Sequence, residues 1–376
     1  MSTNTTPEIA LAGSSGGLPG TEDGIDLALG ADHEEVRAVW RPKSGLRAIV
    51  AIHSTVLGPA LGGARFRPYR SIEEALTDVL RLSKAMSYKA AVAGLDLGGG
   101  KAVILGDPAT VRTDALMSDY GRFVDTFAGR YLTAEDVGTT QADMDLVGTQ
   151  TPFVGGRSEA LGGSGDPSPI TAFGVVRAIE ATAAALWGSP SLEGRHIAVN
   201  GVGKVGGALA LLCAERGARL SVADVSSGAL GALGAQLDVE VVPPDAIHAV
   251  ECDLYAPCAL GSALNDRTVP ELSCQAVCGA ANNQLDTPDT EAALQARGIT
   301  YVPDYVANAG GIINIAYEAG GYDAEAARSH VARIYDTVAR LFEEASRTGE
   351  RLSVLADGMA EARLAAAGAS PAAAQP

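Results

Sequence analysis

Two lysines stand twelve residues apart, Lys89 and Lys101, and each reads either as a solvated side chain or as a group that does chemistry. A lysine works as a general base near neutral pH only if its pKa falls toward ~7–8, and burial beside a second cation achieves that. "TAEDVG", 133–138, ends a strand with adjacent carboxylates, Glu135 and Asp136. Lys101 follows three glycines in "GLDLGGGKAVIL", residues 94–105. This is no phosphate-binding P-loop, because Leu95 stands where that motif needs its first Gly and Ala102 where it needs Ser or Thr. Two readings of the glycines remain. They form a flexible turn ahead of the strand "KAVIL", or they let backbone approach a ligand as only Gly permits. "GPALGGARF", 58–66, sets a second pair, Gly62 and Gly63, before an arginine.

A different chemistry is written in Gly201-Val202-Gly203-Lys204-Val205-Gly206. It matches G-x-G-x-x-G, follows the strand-like "HIAVN" and opens a helical stretch. A second strand, "LSVAD", ends at Asp224, 18 residues after Gly206. Such glycines let backbone approach a pyrophosphate at a helix N-terminus, where free N–H groups favour negative charge. Asp224 would bind ribose hydroxyls and repel a 2′-phosphate, so NAD is expected over NADP. Lys204 could reach phosphate and tempers that preference.

The chain that must position these groups has 376 residues, enough for two domains with cores of their own. Hydrophobic residues make up 47%, which marks a globular chain. The formal net charge is −17, whereas binders of nucleic acid or anionic membranes carry a basic face, so both partners are disfavoured. The apolar run "ALALLCA", 208–214, is too short to span a bilayer, and no secretory signal is visible at the start. The five cysteines are an odd number in a large chain and point to reduced thiols and a cytoplasmic protein. No histidine stands at ligand spacing to Cys274 and Cys278 or to another histidine, so no metal is expected and the cysteines read as core residues.

Residues 1–30 and the tail 366–376 read as disordered. Between them, strands such as "LRAIVAIHS", "KAVIL" and "RYLTA" alternate with helices. One helix opens with a capping box, Ser71 and Glu74. After a loop-like stretch at 155–169 the alternation implies a parallel, doubly wound sheet. The expected fold is α/β in two domains, with the active site in the cleft between them. Residues 31–160 plus 325–365 form a mixed-sheet substrate and catalytic domain, and 161–324 a Rossmann-type NAD-binding domain. The apolar stripe Ile334, Val338, Leu341 and Phe342 predicts that helix 325–346 returns to the first domain.

Seven motifs in order, "GPALGGARF", "KAAVAGLDLGGGKAVI", "TAEDVG", "VNGVGKVGG", "APCALG", "GAANNQL" and "PDYVANAGGIIN", make the chain resemble the glutamate/leucine/phenylalanine/valine dehydrogenases over about 36–350. It is most similar to the valine and leucine enzymes. The resemblance implies NAD-dependent oxidative deamination of branched-chain L-amino acids, in a homo-oligomer. It implies that Lys101 is the catalytic lysine, Lys89 binds the substrate α-carboxylate and Asp136 handles the amino group and proton transfer. Asn308 would contact the substrate's carboxylate and amino end, and Gly62 and Gly63 would meet substrate. Thr171, Ala259 and Asn282 match positions lining the cofactor. The glycines before Lys101 would let a loop pack against the cleft and present the lysine.

Three rivals stand beside this reading. Glutamate dehydrogenases typically carry a lysine just before the Gly-Gly pair, where this chain has Leu61. An unpaired carboxylate buried against leucine costs several kcal/mol, which argues for an aliphatic substrate. Phenylalanine is harder to exclude, because Ala134 and the rest of the pocket have no volume in a sequence. A non-catalytic NAD-binding sensor would be expected to have lost part of the polar set, yet Lys89, Lys101, Asp136 and Asn308 are all present.

Overall fold

The computed structural model describes residues 25–26, 32–259, 261–318 and 321–369. In it the glycine triplet is not a turn. It opens a buried strand in the middle of the first of two six-stranded sheets. That sheet comprises β1 (Ile25–Asp26), β2 (Glu35–Arg41), β3 (Leu46–Ser54), β4 (Ala60–Arg67), β5 (Gly98–Leu105) and β6 (Tyr131–Glu135), in the order β1-β2-β3-β5-β4-β6. The strand β5 runs antiparallel to β3 and parallel to β4, which in turn pairs parallel with β6. The sheet is therefore mixed.

Helix α1 (Ile72–Val92) covers one face. Its Ala75, Leu76 and Val79 pack with Val36, Ile49, Ala51 and Val103. Past the short α2 (Pro108–Val111), helices α3 (Asp114–Asp125) and α4 (Gln141–Val147) cover the other face, over Val50, Ile52, Phe66 and Ile104. Successive strand residues point to opposite faces. Gly99, Lys101 and Val103 thus face α1, while Gly100 and Ile104 face α3 and α4.

This explains the glycines. A Cβ on Gly99 would lie 2.1 Å from the backbone N of Ser87, one on Gly98 1.9 Å from Ser54 O, and one on Gly100 2.7 Å from the Tyr131 ring. The missing Cβ of Gly99 lets α1 seat on the strand at Ser87. Lys89 lies two residues beyond Ser87, and Lys101 two beyond Gly99. The glycines bring two chain segments together rather than opening a loop. Gly99→Ala is expected to destabilise the fold by about 2 kcal/mol or more, because the obstacle is backbone. A thermal melt within a degree of wild type would contradict this packing.

The second sheet is β12-β11-β10-β7-β8-β9, all parallel. Its strands are β7 (His196–Asn200), β8 (Arg219–Ala223), β9 (Glu240–Val241), β10 (Leu254–Pro257), β11 (Ala276–Val277) and β12 (Thr300–Tyr301). The order reverses at β7 and β10, which opens a crevice at the strand ends of the kind that binds dinucleotides in such sheets. Helices α5 (Ser168–Trp187), α6 (Lys204–Ala214), α7 (Ser227–Gly234), α8 (Thr290–Ala296), α9 (Asp304–Ala307) and α10 (Gly310–Ala316) accompany it. Three more close the chain: α11 (Ala324–Ala332), α12 (Ile334–Thr348) and α13 (Leu352–Ala369). Helix α5 is long and apolar enough to cross a membrane, unlike the run at 208–214, but it is mostly buried and packs on α6, α10 and α12.

Four expectations need correction. The stripe of Ile334, Val338 and Leu341 packs on α5, while the same 325–346 segment touches the first domain at the end of α1, where His330 Nε2 lies 2.7 Å from Ala93 O, and α13 lies along α1. There Tyr88 Oη donates to Glu361 at 2.9 Å and Arg363 reaches Asp96 at 2.8 Å. The capping box at Ser71 is half made: Ser71 accepts from Glu74 N, but the Glu74 carboxylate accepts from Arg70 N and Arg67. Residues 25–26 pair with β2, and α13 continues to Ala369, so order extends into both segments read as disordered. The rest of 1–30, bar the pair 25–26, and residues 370–376 lie outside the described residues. A single core cluster joins Leu61, Ala90, Val92 and Ala134 of the first sheet's side to α5, β7, α12 and α13.

Candidate active site

Lys101 projects from β5 toward α1 and is only 6% exposed. Its Nζ lies 2.7 Å from Asp136 Oδ2. Asp136 follows β6 directly and is held from a second side by Arg65 of β4, Nε to Oδ2 at 3.2 Å. Burial pushes the Asp136 carboxyl up, but Lys101 and Arg65 together outweigh it and hold it below the usual carboxylate range. Thr139 Oγ1 accepts from Asp136 N at 2.9 Å and fixes the backbone there.

Lys89 meets this pair from α1. Burial first, and then the like charge of Lys101, lower its pKa to about 8, against the opposing pull of Asp304 and Asp136. Asp304 opens α9 and comes from the second sheet's side. Burial raises its carboxyl above the ordinary value, although Gln284 N, at 3.0 Å, and Lys89 stabilise the anion. Asn308 ends α9 and donates through Nδ2 to Ala280 O at 3.0 Å and Asn282 Oδ1 at 2.8 Å. Both partners are acceptors, which assigns the amide orientation. Its buried Oδ1 then has no partner. A buried acceptor without a donor suits a ligand N–H.

The other sequence-marked residues fall into two groups. A Cβ on Gly62 would strike Gly100 O at 1.7 Å, and one on Gly63 would strike Glu135 O at 2.5 Å, so their smallness is required by neighbouring strands. Leu61 stands opposite Gly99 and is 2% exposed, and Ala134 stands opposite Gly63 and is 3% exposed. Both belong to an apolar cluster beside the lysines.

The second group surrounds the glycine turn after β7. Gly201 has φ +96°, where a side chain is strained, and Gly206 has no room for a Cβ against Gly201 O at 1.8 Å. Ala259 N lies 2.7 Å from where a Gly201 Cβ would be. Gly203 caps α6 without any side-chain bond, and nothing lies within 4 Å of its Cβ position. The first N–H groups of α6 are thus left for a pyrophosphate, with Val205 in that first turn. Asp224 accepts from Val202 N at 2.7 Å and Ser226 N at 2.8 Å, which ties β8 to the turn. Lys204 pairs with Asp166 at 3.2 Å. Thr171, in the first turn of α5, lies 3.1 Å from the Cβ position of Gly311. These residues fit a dinucleotide.

Arg65, Asp78 and Asp304 went unassigned by sequence reasoning. The arginine of "GGARF" was in view, but its partners become neighbours only in the fold. All five cysteines are free, and among the described residues no cluster of His, Cys, Asp or Glu could hold a metal ion.

Comparison with known proteins identifies the family. Residues 33–152 match the Glu/Leu/Phe/Val dehydrogenase dimerisation domain, and 162–242 with 232–367 match the Glutamate/Leucine/Phenylalanine/Valine dehydrogenase model. The chain is 47% identical to leucine dehydrogenase of Geobacillus stearothermophilus over 333 residues, 89% of this chain and 91% of that one. It is 48% identical to valine dehydrogenase of Streptomyces coelicolor over 342 residues, 90% and 94% of the two chains. The crystal structure of L-tryptophan dehydrogenase from Nostoc punctiforme superposes with a TM-score of 0.80 at 40% identity, covering 90% of this chain and 98% of that one. Two family models across nearly all the described chain, and relatives this similar over their full breadth, make it a member of the glutamate/leucine/phenylalanine/valine dehydrogenase family and an amino-acid dehydrogenase.

Proposed function

We propose that the chain catalyses the reversible oxidative deamination of branched-chain L-amino acids, valine, leucine and isoleucine, to 2-oxo acids and ammonia. The observation that carries this is Leu61, buried and apolar where a distal carboxylate would need a cation. NAD, bound at the Gly201–Gly206 turn and Asp224, supplies the hydride acceptor. Lys89 anchors the α-carboxylate. Lys101 takes the proton from the substrate amine, so that the Cα hydrogen leaves as hydride and an imine forms. Having passed that proton through Asp136 to solvent, Lys101 is neutral again and takes a proton from the water that attacks the imine carbon. Asp136 carries protons between Lys101 and the departing ammonia. The Asn308 Oδ1 accepts from the amino group.

The finding that the first family model is a dimerisation domain supports a homo-oligomer. Five free thiols support a reducing, cytoplasmic setting.

Steady-state NADH production across L-valine, L-leucine, L-isoleucine, L-phenylalanine and L-glutamate tests the reading. The aliphatic substrates are expected to lead, with NAD well ahead of NADP. Phenylalanine leading the panel would move the assignment to an aromatic enzyme, and no turnover with any would leave a non-catalytic NAD binder. Asp224→Ser is expected to raise the NADP-to-NAD ratio of kcat/KM by roughly tenfold, because a like charge facing the 2′-phosphate is removed. A wild-type preference for NADP would overturn the role of Asp224.

A further inference from the structure

We infer that Arg65 is a positioning residue for catalysis: its guanidinium, braced by Asp78, holds the Asp136 carboxylate in place and favours its anion, so that Asp136 releases each proton it takes from Lys101. The inference rests on the reading of Asp136 as the proton-handling carboxylate.

Arg65 Nε lies 3.2 Å from Asp136 Oδ2, and its Nη1 lies 3.2 Å from Asp78 Oδ2. A planar guanidinium bound at two carboxylates on different elements has one orientation. Asp78, on α1, is itself held. It accepts from Tyr69 Oη at 2.9 Å and from Arg81 Nη2 at 3.0 Å. Arg81 Nη1 donates to Asn283 Oδ1 at 3.2 Å, next to Asn282 on the second sheet's side. A continuous string of polar contacts thus runs from that loop to the reacting carboxylate.

The chemistry calls for such a brace. Asp136 and Lys101 form a buried pair, and Lys101 must lose its charge to act as a base. At that stage a lone buried carboxylate is costly, and it would keep the proton it takes from Lys101 instead of passing it on. Arg65 cannot deprotonate, so its charge remains throughout the cycle. The groups facing Asp136 are Lys101 from β5, Arg65 from β4, Lys89 from α1, and Glu135 and Tyr131 on its own strand. Of the three cations, Lys101 is the one that titrates in the reaction and Lys89 is engaged by substrate. Arg65 is left as the constant partner.

The test is the pH profile of kcat/KM for L-valine in Arg65→Gln, Arg65→Lys and Asp136→Asn, with thermal melts of each. Arg65→Gln is expected to move the acid limb up by about one pH unit or more and to lower kcat at neutral pH roughly tenfold. Arg65→Lys keeps the charge but loses the fork, so the acid limb stays near wild type and kcat falls several-fold. A merely structural role would lower the melting temperature and leave the acid limb in place. A folded Arg65→Gln whose profile superimposes on wild type overturns the inference. If Arg65→Gln does not fold, Arg65→Lys carries the test, and wild-type kcat there overturns it. Near wild-type turnover in Asp136→Asn overturns the reading of Asp136, and the inference with it.

Discussion

Lys101→Ala is expected to lower kcat for L-valine by about 10²-fold or more, the range of lost general acid–base catalysis. The side chain is buried, 2.7 Å from Asp136, on the face of β5 that meets α1. On the proposed mechanism Lys101 takes both protons. Lys89 lies beside it, its pKa lowered to about 8 by burial, and on the proposed mechanism it holds the substrate carboxylate instead. KM is therefore expected to change little, because the anchoring charge is intact. Lys101→Arg is expected to be as inactive, since a guanidinium keeps its proton. The alanine variant leaves Arg65 as the remaining ion-pair partner of Asp136, so its thermal midpoint belongs beside the kinetics. Turnover near wild type in a folded Lys101→Ala would remove Lys101 from the mechanism.

The parts of this site readable from sequence are those written contiguously. The turn Gly201–Gly206 sits between its strand and helix because that motif encodes strand, turn and helix together. Lys89, Lys101, Asp136 and Asn308 are identified by motifs, and the fold brings the first three together from three elements. The glycines before Lys101 illustrate the limit. Glycine is disfavoured in strands, so the triplet looks like a turn. Its reason lies in Ser87 and Tyr131, which sit far along the chain but meet the strand from its two faces. Arg65 is similar. Its partners are 13 and 71 residues away, and no spacing rule links them. The stripe on α12 is a third instance. Periodicity shows that the helix buries a face, but the identity of α5 as its partner depends on the tertiary arrangement.

Wild-type kcat/KM for L-glutamate is expected to fall below that for L-valine by about 10³-fold or more. Leu61 pairs across from Gly99, on the sheet face that carries Lys101, and Ala134 lies on the adjoining strand. Both are almost fully buried in an apolar cluster. A second carboxylate placed there would lose its water and gain no cation. Burying an unpaired charge costs several kcal/mol, and each ~1.4 kcal/mol is a factor of ten. Valine and leucine differ by one methylene, which an apolar pocket separates by only ~1–3 kcal/mol, so both are expected to be turned over. Leu61→Lys reverses the logic. Its ammonium would replace an apolar contact beside Lys101, weaken activity on valine and raise the glutamate-to-valine ratio. The ratio is expected to shift further than the absolute glutamate rate, because the new cation lacks polar neighbours to hold it and a carboxylate is its best available partner. Kinetics of wild type and Leu61→Lys on both substrates measure this directly. A wild-type kcat/KM for glutamate equal to that for valine would show that the distal carboxylate finds a cation elsewhere in the cleft, and Leu61 would no longer be the residue that excludes it.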